Sequence, residues 1–202
     1  MNPDGDVEKM LGTYSAIMEE IKSRVVCLDL CARSIFNVEG WISAELGYLQ
    51  LRKICELIAI GCLVAHGDIK ETQASALQKK WDPAKILRQL GELHTDFFPI
   101  PVTLTIVPQV SVHMEPVLTG FLSKTDLLEL YGKSGDFLHR GSLRNLLRGK
   151  ITDVSPDLLH WGHKIVTLLQ NHHIRSITNK RHILCNLINA DDNNRVQTVL
   201  LL

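Results

Sequence analysis

The chain has 202 residues and a mass of 22.7 kDa, a length that suits one domain or one domain with a small appendage. An apolar share of 45% supplies a core, and 22 basic residues balance 22 acidic ones; together these exclude a disordered polyampholyte and a highly basic tail protein. Aromatic residues are only 5%, too few for the base-stacking platform of an RNA-recognition sheet.

The N-terminus, Met1 to Asp6, is acidic and lacks the basic start and apolar stretch of a signal peptide. The first periodic segment follows at once. Val7, Leu11, Tyr14, Met18, Ile21, Val25, Leu28, Ala32 and Ile35 alternate at spacings of four and three, an a/d seam held for four heptads. Two readings stay open for this helix: one that packs along a bundle, and one that also pairs with a second chain.

A second helix is expected from about Ser43 to Ala65. Its second half, from Leu51 onward, is apolar nearly all round, which belongs at the centre of a bundle. Gly47 and Gly61 would admit close neighbours. The most apolar run, Ile54 to Ala65, is 12 residues long and contains Glu56; a membrane span needs about 20. A carboxylate there is costly unless paired. Arg52 lies four residues earlier on the same face, so a buried Arg52–Glu56 ion pair is expected.

Asp68-x-x-Glu71 is a capping box opening a helix to about Lys80. Asp82-Pro83 opens another, Ala84 to His94. Prolines at 99, 101, 108 and 116 make 97–117 an extended excursion with two short alternating strands, Val102 to Ile106 and Val110 to Met114. Ser123-x-x-Asp126 caps a helix to about Leu138. Residues 140–150 continue it or form a separate turn. Ser155-Pro156 opens a last helix, expected to reach His173. Arg181 to Asn189 and Arg195 to Leu202 flank a turn-rich Ala190 to Asn194 and read as a β-hairpin.

The five cysteines include no C-x-x-C pair. They read as buried thiols of a reducing compartment, and a cytoplasmic location is expected. His160, His163, His172 and His173 cluster in sequence but carry no metal-binding pattern beside them, so no metal and no cofactor are expected. Charge is uneven. Residues 137–190 hold eight lysines and arginines against Asp153 and Asp157 alone. On a helix Arg140, Arg144 and Arg148 would line one face. That stripe reads either as a solvated or pairing face or as a track for phosphate oxygens.

Two segments carry a resemblance. One is Leu51-Arg52-Lys-Ile-Cys-Glu56-Leu in the buried helix. The other is Leu130-Tyr131-Gly-Lys133-Ser134-Gly-Asp136-Phe-Leu-His139-Arg-Gly141. Together, over roughly residues 5–175, the chain resembles bacterial helical domains of the HEPN type. The resemblance implies an up-down helical bundle, frequent dimerisation and, in active members, metal-independent RNA cleavage by an Arg-x(4-6)-His motif. Here Lys133 stands in a Lys133-x5-His139 spacing where the motif has arginine, and Arg88-x5-His94 is the literal match.

The expected fold is mainly α, a bundle of five to six helices over 1–175. A small β part is added: the 97–117 excursion and a C-terminal hairpin, 176–202, packed on the same domain. Two functions are carried forward. One is a non-enzymatic HEPN-like dimerisation or interaction protein, in a bacterial toxin–antitoxin or defence setting, acting as a homodimer or on a protein partner. The other is a HEPN-like RNase with His139, Lys133 and Arg140 as catalytic residues (Arg88 and His94 as the alternative pair) and Tyr131, Arg144 and Arg148 binding RNA. Neither needs a membrane.

Overall fold

A computed structural model describes residues 3–67, 82–107, 111–139, 153–175 and 182–201. The helix expected over 68–80 and the segment 140–150, with Arg140, Arg144 and Arg148, lie outside the described residues. Among the described residues there are five α-helices and five strands.

Helix α1 (Pro3–Ala32) and helix α2 (Gly40–Ala65) pack side by side. Ser34 ends α1 in the left-handed region, φ 52°, and the Ile35 N–H reaches back to the Leu30 carbonyl at 3.1 Å, a hydrogen bond that satisfies a terminal carbonyl. The heptad seam of α1 is used within the chain itself. Tyr14, Met18, Ile21, Leu28 and Ala32 are buried, whereas Ile35 lies beyond the helix and is 59% exposed. Most of the seam is thus spent on the core, with Val7, Leu11 and Val25 partly buried.

Helix α2 is buried from Ser43 to Ala65 on most of its circumference. Gly47 admits Leu158 closely: a Cβ there would meet Leu158 Cδ1 at 2.6 Å, so the leucine side chain would have to shift. Helix α3 (Pro83–Leu93) starts on Asp82, whose carboxylate accepts the Ala84 N–H at 3.0 Å, with proline in the first turn. Strands β1 (Ile100–Val107) and β2 (Ser111–Pro116) form an antiparallel hairpin. Helix α4 (Lys124–Leu138) carries the capping box of Ser123 and Asp126. Helix α5 (Ser155–Leu169) follows.

The last helix was expected to reach His173. It stops at Leu169, and strand β3 (Asn171–Arg175) begins two residues later. Two inward residues, His172 and Ile174, alternate with outward ones, a period of two that cannot continue a helix. Burial of His172 fixes the change. It is fully enclosed, its Nδ1 lies 3.0 Å from the Leu169 carbonyl and its Nε2 2.6 Å from the Tyr14 hydroxyl. A carbonyl only accepts, so Nδ1 carries the proton and Tyr14 donates to Nε2.

Strand β3 also changes the architecture. It pairs with β1 through Ile100 and Pro101, and with β4 (His182–Asn189) on its other side. With β5 (Arg195–Leu201) the result is one antiparallel sheet of order β2-β1-β3-β4-β5. The C-terminal hairpin is thus part of a sheet shared with the 97–117 excursion, and pairing crosses the 175/176 boundary. Asn193 and Asn194, at φ 49° and 59°, turn the chain from β4 to β5, a conformation asparagine tolerates better than most residues. The inner sheet face, including Ile174, Ile183, Cys185 and Leu187, joins the helical core.

The enclosed His172 makes stability depend on pH. Burial, the largest cause, pushes its pKa down from 6.5 to about 4. The unfolded chain therefore takes up this proton first as pH falls, so the stabilisation is complete above about pH 6.5 and is lost on the way to pH 4. The shift corresponds to roughly 3 kcal/mol. Urea unfolding from pH 7.5 to 4 should show this decline, and His172→Gln should flatten it; an unchanged slope in the variant would place the titrating group elsewhere.

Candidate functional site

The polar residues singled out in the sequence gather along α2, α4 and α5. On α2, Arg52 Nε lies 3.5 Å from Glu56 Oε1, and Lys53 Nζ lies 2.8 Å from Glu56 Oε2. Glu56 is buried and faces two cations. The Arg52 guanidinium also sits 4.1 Å from the centroid of the Tyr131 ring on α4 and donates to the Tyr131 hydroxyl at 2.7 Å. Gly135, one turn further along α4, makes this approach fit: a Cβ there would meet Arg52 Nη1 at 2.8 Å.

A second cluster lies on the neighbouring turns. Asp157 of α5 accepts from Tyr48 Oη of α2 and from Lys133 Nζ of α4, both at 2.6 Å. Burial pushes the Asp157 carboxyl up, but the hydrogen bonds from Lys133 and Tyr48 and the lysine charge outweigh it, and the net shift is down. Tyr48 is stacked on Phe137 with ring centroids 3.9 Å apart. Lys133, expected as a phosphate ligand, is therefore held in an ion pair that joins α4 to α5. Asp126 and Lys164 form a second such link at 2.8 Å. Asp157 was not foreseen as the partner of Lys133; no spacing signal connects residues 24 positions apart.

His139 is exposed at the C-terminal cap of α4, where its backbone N–H bonds the Gly135 carbonyl at 3.0 Å. Six residues separate it from Lys133, which on a helix puts the two about 120° apart. Arg88 is exposed on α3, but His94 is buried. Its Nε2 lies 3.0 Å from the Arg175 carbonyl and its Nδ1 accepts the Asp96 N–H at 3.2 Å. His66 approaches the same Arg175 carbonyl at 3.2 Å. Both rings tie helix ends to β3. Among the described residues, no group of three or more His, Cys, Asp or Glu could hold a metal ion, and no helix is long and apolar enough to cross a membrane.

Among the described residues two surfaces stand out. The elbow between α1 and α2 exposes Ile35, Val38, Trp41 and Ile42, at 37–59%. The outer sheet face forms a groove of about 870 Å³. Compared with protein-family models, curated proteins and solved structures, the chain matches none.

Removing Arg52 tests how far the helix contacts depend on this network. Loss of one partner of a buried pair costs about 3–5 kcal/mol, but Lys53 remains beside Glu56, so Arg52→Ala should cost about 1–3 kcal/mol. Gly135→Ala should destabilise in the same direction by displacing the guanidinium. Urea midpoints measure both; an unchanged midpoint for Arg52→Ala would mean that the pair contributes nothing.

Proposed function

We propose that this chain is a non-enzymatic interaction protein that docks through the α1–α2 elbow. The observation that carries the reading is the exposure of four large apolar side chains, Ile35, Val38, Trp41 and Ile42, within eight residues at one helical turn-back. Exposed apolar groups that cluster mark contact surfaces more often than scattered ones do. A tryptophan among them is the residue type that most often anchors an interface. The polar side chains support the same reading from the other side. Lys133, Arg52 and His94 are engaged with Asp157, Glu56 and the Arg175 carbonyl, which favours a structural use over acid–base chemistry.

In this reading the protein is a HEPN-like bundle without the family's cleavage chemistry. It acts as a homodimer or against a protein partner, in a bacterial toxin–antitoxin or defence setting. The homodimer forms elbow to elbow, since most of the α1 seam is spent on the core.

Sedimentation velocity should show a dimer at tens of micromolar. Trp41→Glu and Ile35→Glu should make it monomeric while moving the melting temperature by no more than about 2 °C, because both side chains are partly solvated. A wild type that stays monomeric removes the dimer. RNA incubated with the protein in chelator should stay intact; cutting that disappears in His139→Ala would overturn the non-enzymatic reading in favour of the RNase.

A further inference from the structure

The outer sheet face has a different chemistry from the elbow, and its strand register shows how that chemistry is arranged. Asn171, Asn186 and Gln197 lie side by side across β3, β4 and β5. The next outward row is His173, Leu184 and Val199, and the row after it is Arg175, His182 and Leu201. Leu104 and Met114 of β1 and β2 complete the apolar lining. None of the described residues lining the groove is charged; the charge lies in the basic rows that continue it.

The amide row offers both donors and an acceptor. Asn186 Oδ1 accepts the Ile188 N–H at 3.1 Å, and Gln197 Oε1 accepts from Asn189 Nδ2 at 3.0 Å. Those contacts fix which amide atom is which and leave the NH₂ groups of Asn186 and Gln197 without an acceptor among the described residues, while Asn171 Oδ1 is buried without a donor. At the other end, His173 and His182 are stacked with centroids 6.0 Å apart. Arg175 is exposed and makes no ion pair among the described residues. Burial first, then the neighbouring Arg175 and His182, push the His173 pKa down, so the fixed positive charge at this end is that of Arg175.

We propose that this groove binds the extended C-terminal end of an uncharged aliphatic peptide. Its terminal carboxylate meets Arg175 and the His173–His182 pair. Its side chains rest on Leu184, Val199, Leu104 and Met114. Its backbone carbonyls accept from Asn186 and Gln197. The spacing fits: from the amide row to the Arg175 row is four residues of strand, about 14 Å at about 3.4 Å each, the reach of an equal length of extended ligand. The volume of about 870 Å³ falls within the roughly 300–1,000 Å³ of small-ligand sites. Recognition of a terminal carboxylate is an established mode of peptide capture. The groove is separate from the elbow, so the proposal goes beyond the docking reading and stands or falls apart from it.

Isothermal titration of the whole protein tests it with one probe in two forms, an acetylated five-residue peptide of alanine, valine and leucine with a free carboxylate or a carboxamide end. The acid form should bind, and the carboxamide should bind at least about tenfold more weakly, the loss of one charge-assisted contact. Arg175→Ala should weaken the acid by about the same factor and leave the carboxamide unchanged; its backbone carbonyl, which the two histidines use, is retained. Val199→Glu, at a 41% exposed position, should abolish binding of both, with Ile188→Glu, at 42%, as the second variant if the first fails to fold. Equal binding of acid and carboxamide overturns the proposal, as does no binding at millimolar peptide. So does dodecanoate binding more tightly than the peptide, which would make the groove an alkyl-chain site. Sedimentation that responds to Val199→Glu but not to Trp41→Glu would give the groove to a second copy, overturning both this proposal and the elbow dimer.

Discussion

A helix that is apolar nearly all round has to be covered on nearly every side, and α2 imposes that requirement on the whole chain. Ile54, Ile58, Ala59, Cys55 and Cys62 leave almost no surface to water. Helices α1, α3, α4 and α5 all pack on α2. Close cover demands small residues where neighbours cross, hence Gly47 under Leu158. It also demands that the one carboxylate on the buried stretch be neutralised, hence Arg52 and Lys53 on Glu56. Tyr131 and Gly135 then serve the arginine, so a single buried charge fixes the contact between α2 and α4.

The sheet is joined to this bundle by a second kind of link. His66 at the end of α2 and His94 at the end of α3 both point to the Arg175 carbonyl, and His172 of β3 bonds both the end of α5 and Tyr14 of α1. Imidazole suits these places. It is flat enough for a packed core, and in His94 and His172 one nitrogen donates to a carbonyl while the other accepts, whereas both nitrogens of His66 face carbonyls. Three of the nine histidines are used in this way, and of the sequence cluster His160, His163, His172 and His173 only His172 is among them. Tyr14 has its hydroxyl pKa raised well above 10, chiefly by burial, so it stays a donor over the accessible pH range.

The sequence made the helical layer legible because its signals are local. The a/d seam, the Ser123–Asp126 and Asp82-Pro83 starts and the i, i+4 spacing of Arg52 and Glu56 each involve residues within one or two turns. What escaped was non-local. Leu168-Leu169-Gln-Asn-His-His continues an apolar helical pattern with no breaker; only the pocket that Tyr14 provides, 158 residues away, favours the strand. The same holds for the candidate site. The Arg52–Glu56 pair was legible from its spacing, but Tyr131 joins it only through the packing of α4 on α2, and the role of Lys133 turned on Asp157, 24 residues off. The basic excess of residues 137–190 was visible in composition, but the rows that place Arg175 beside His182 exist only once β3 and β4 pair.

The distribution of polar groups then separates what holds the fold from what is left to act. Between the helices every prominent charge has an opposite charge within 4 Å: Glu56, Asp157 and Asp126 with Arg52, Lys133 and Lys164. Pairs that are partly enclosed and shared between two elements are poor material for proton transfer, because moving the proton would strand a charge. Around the sheet the opposite holds. Arg175 is exposed beside His173 and His182 with no described carboxylate to answer it. A positive group left unanswered at the end of an apolar groove is matched by a partner that brings a negative one. That asymmetry, rather than the histidine count, is what distinguishes the outer face of the sheet from the paired charges between the helices.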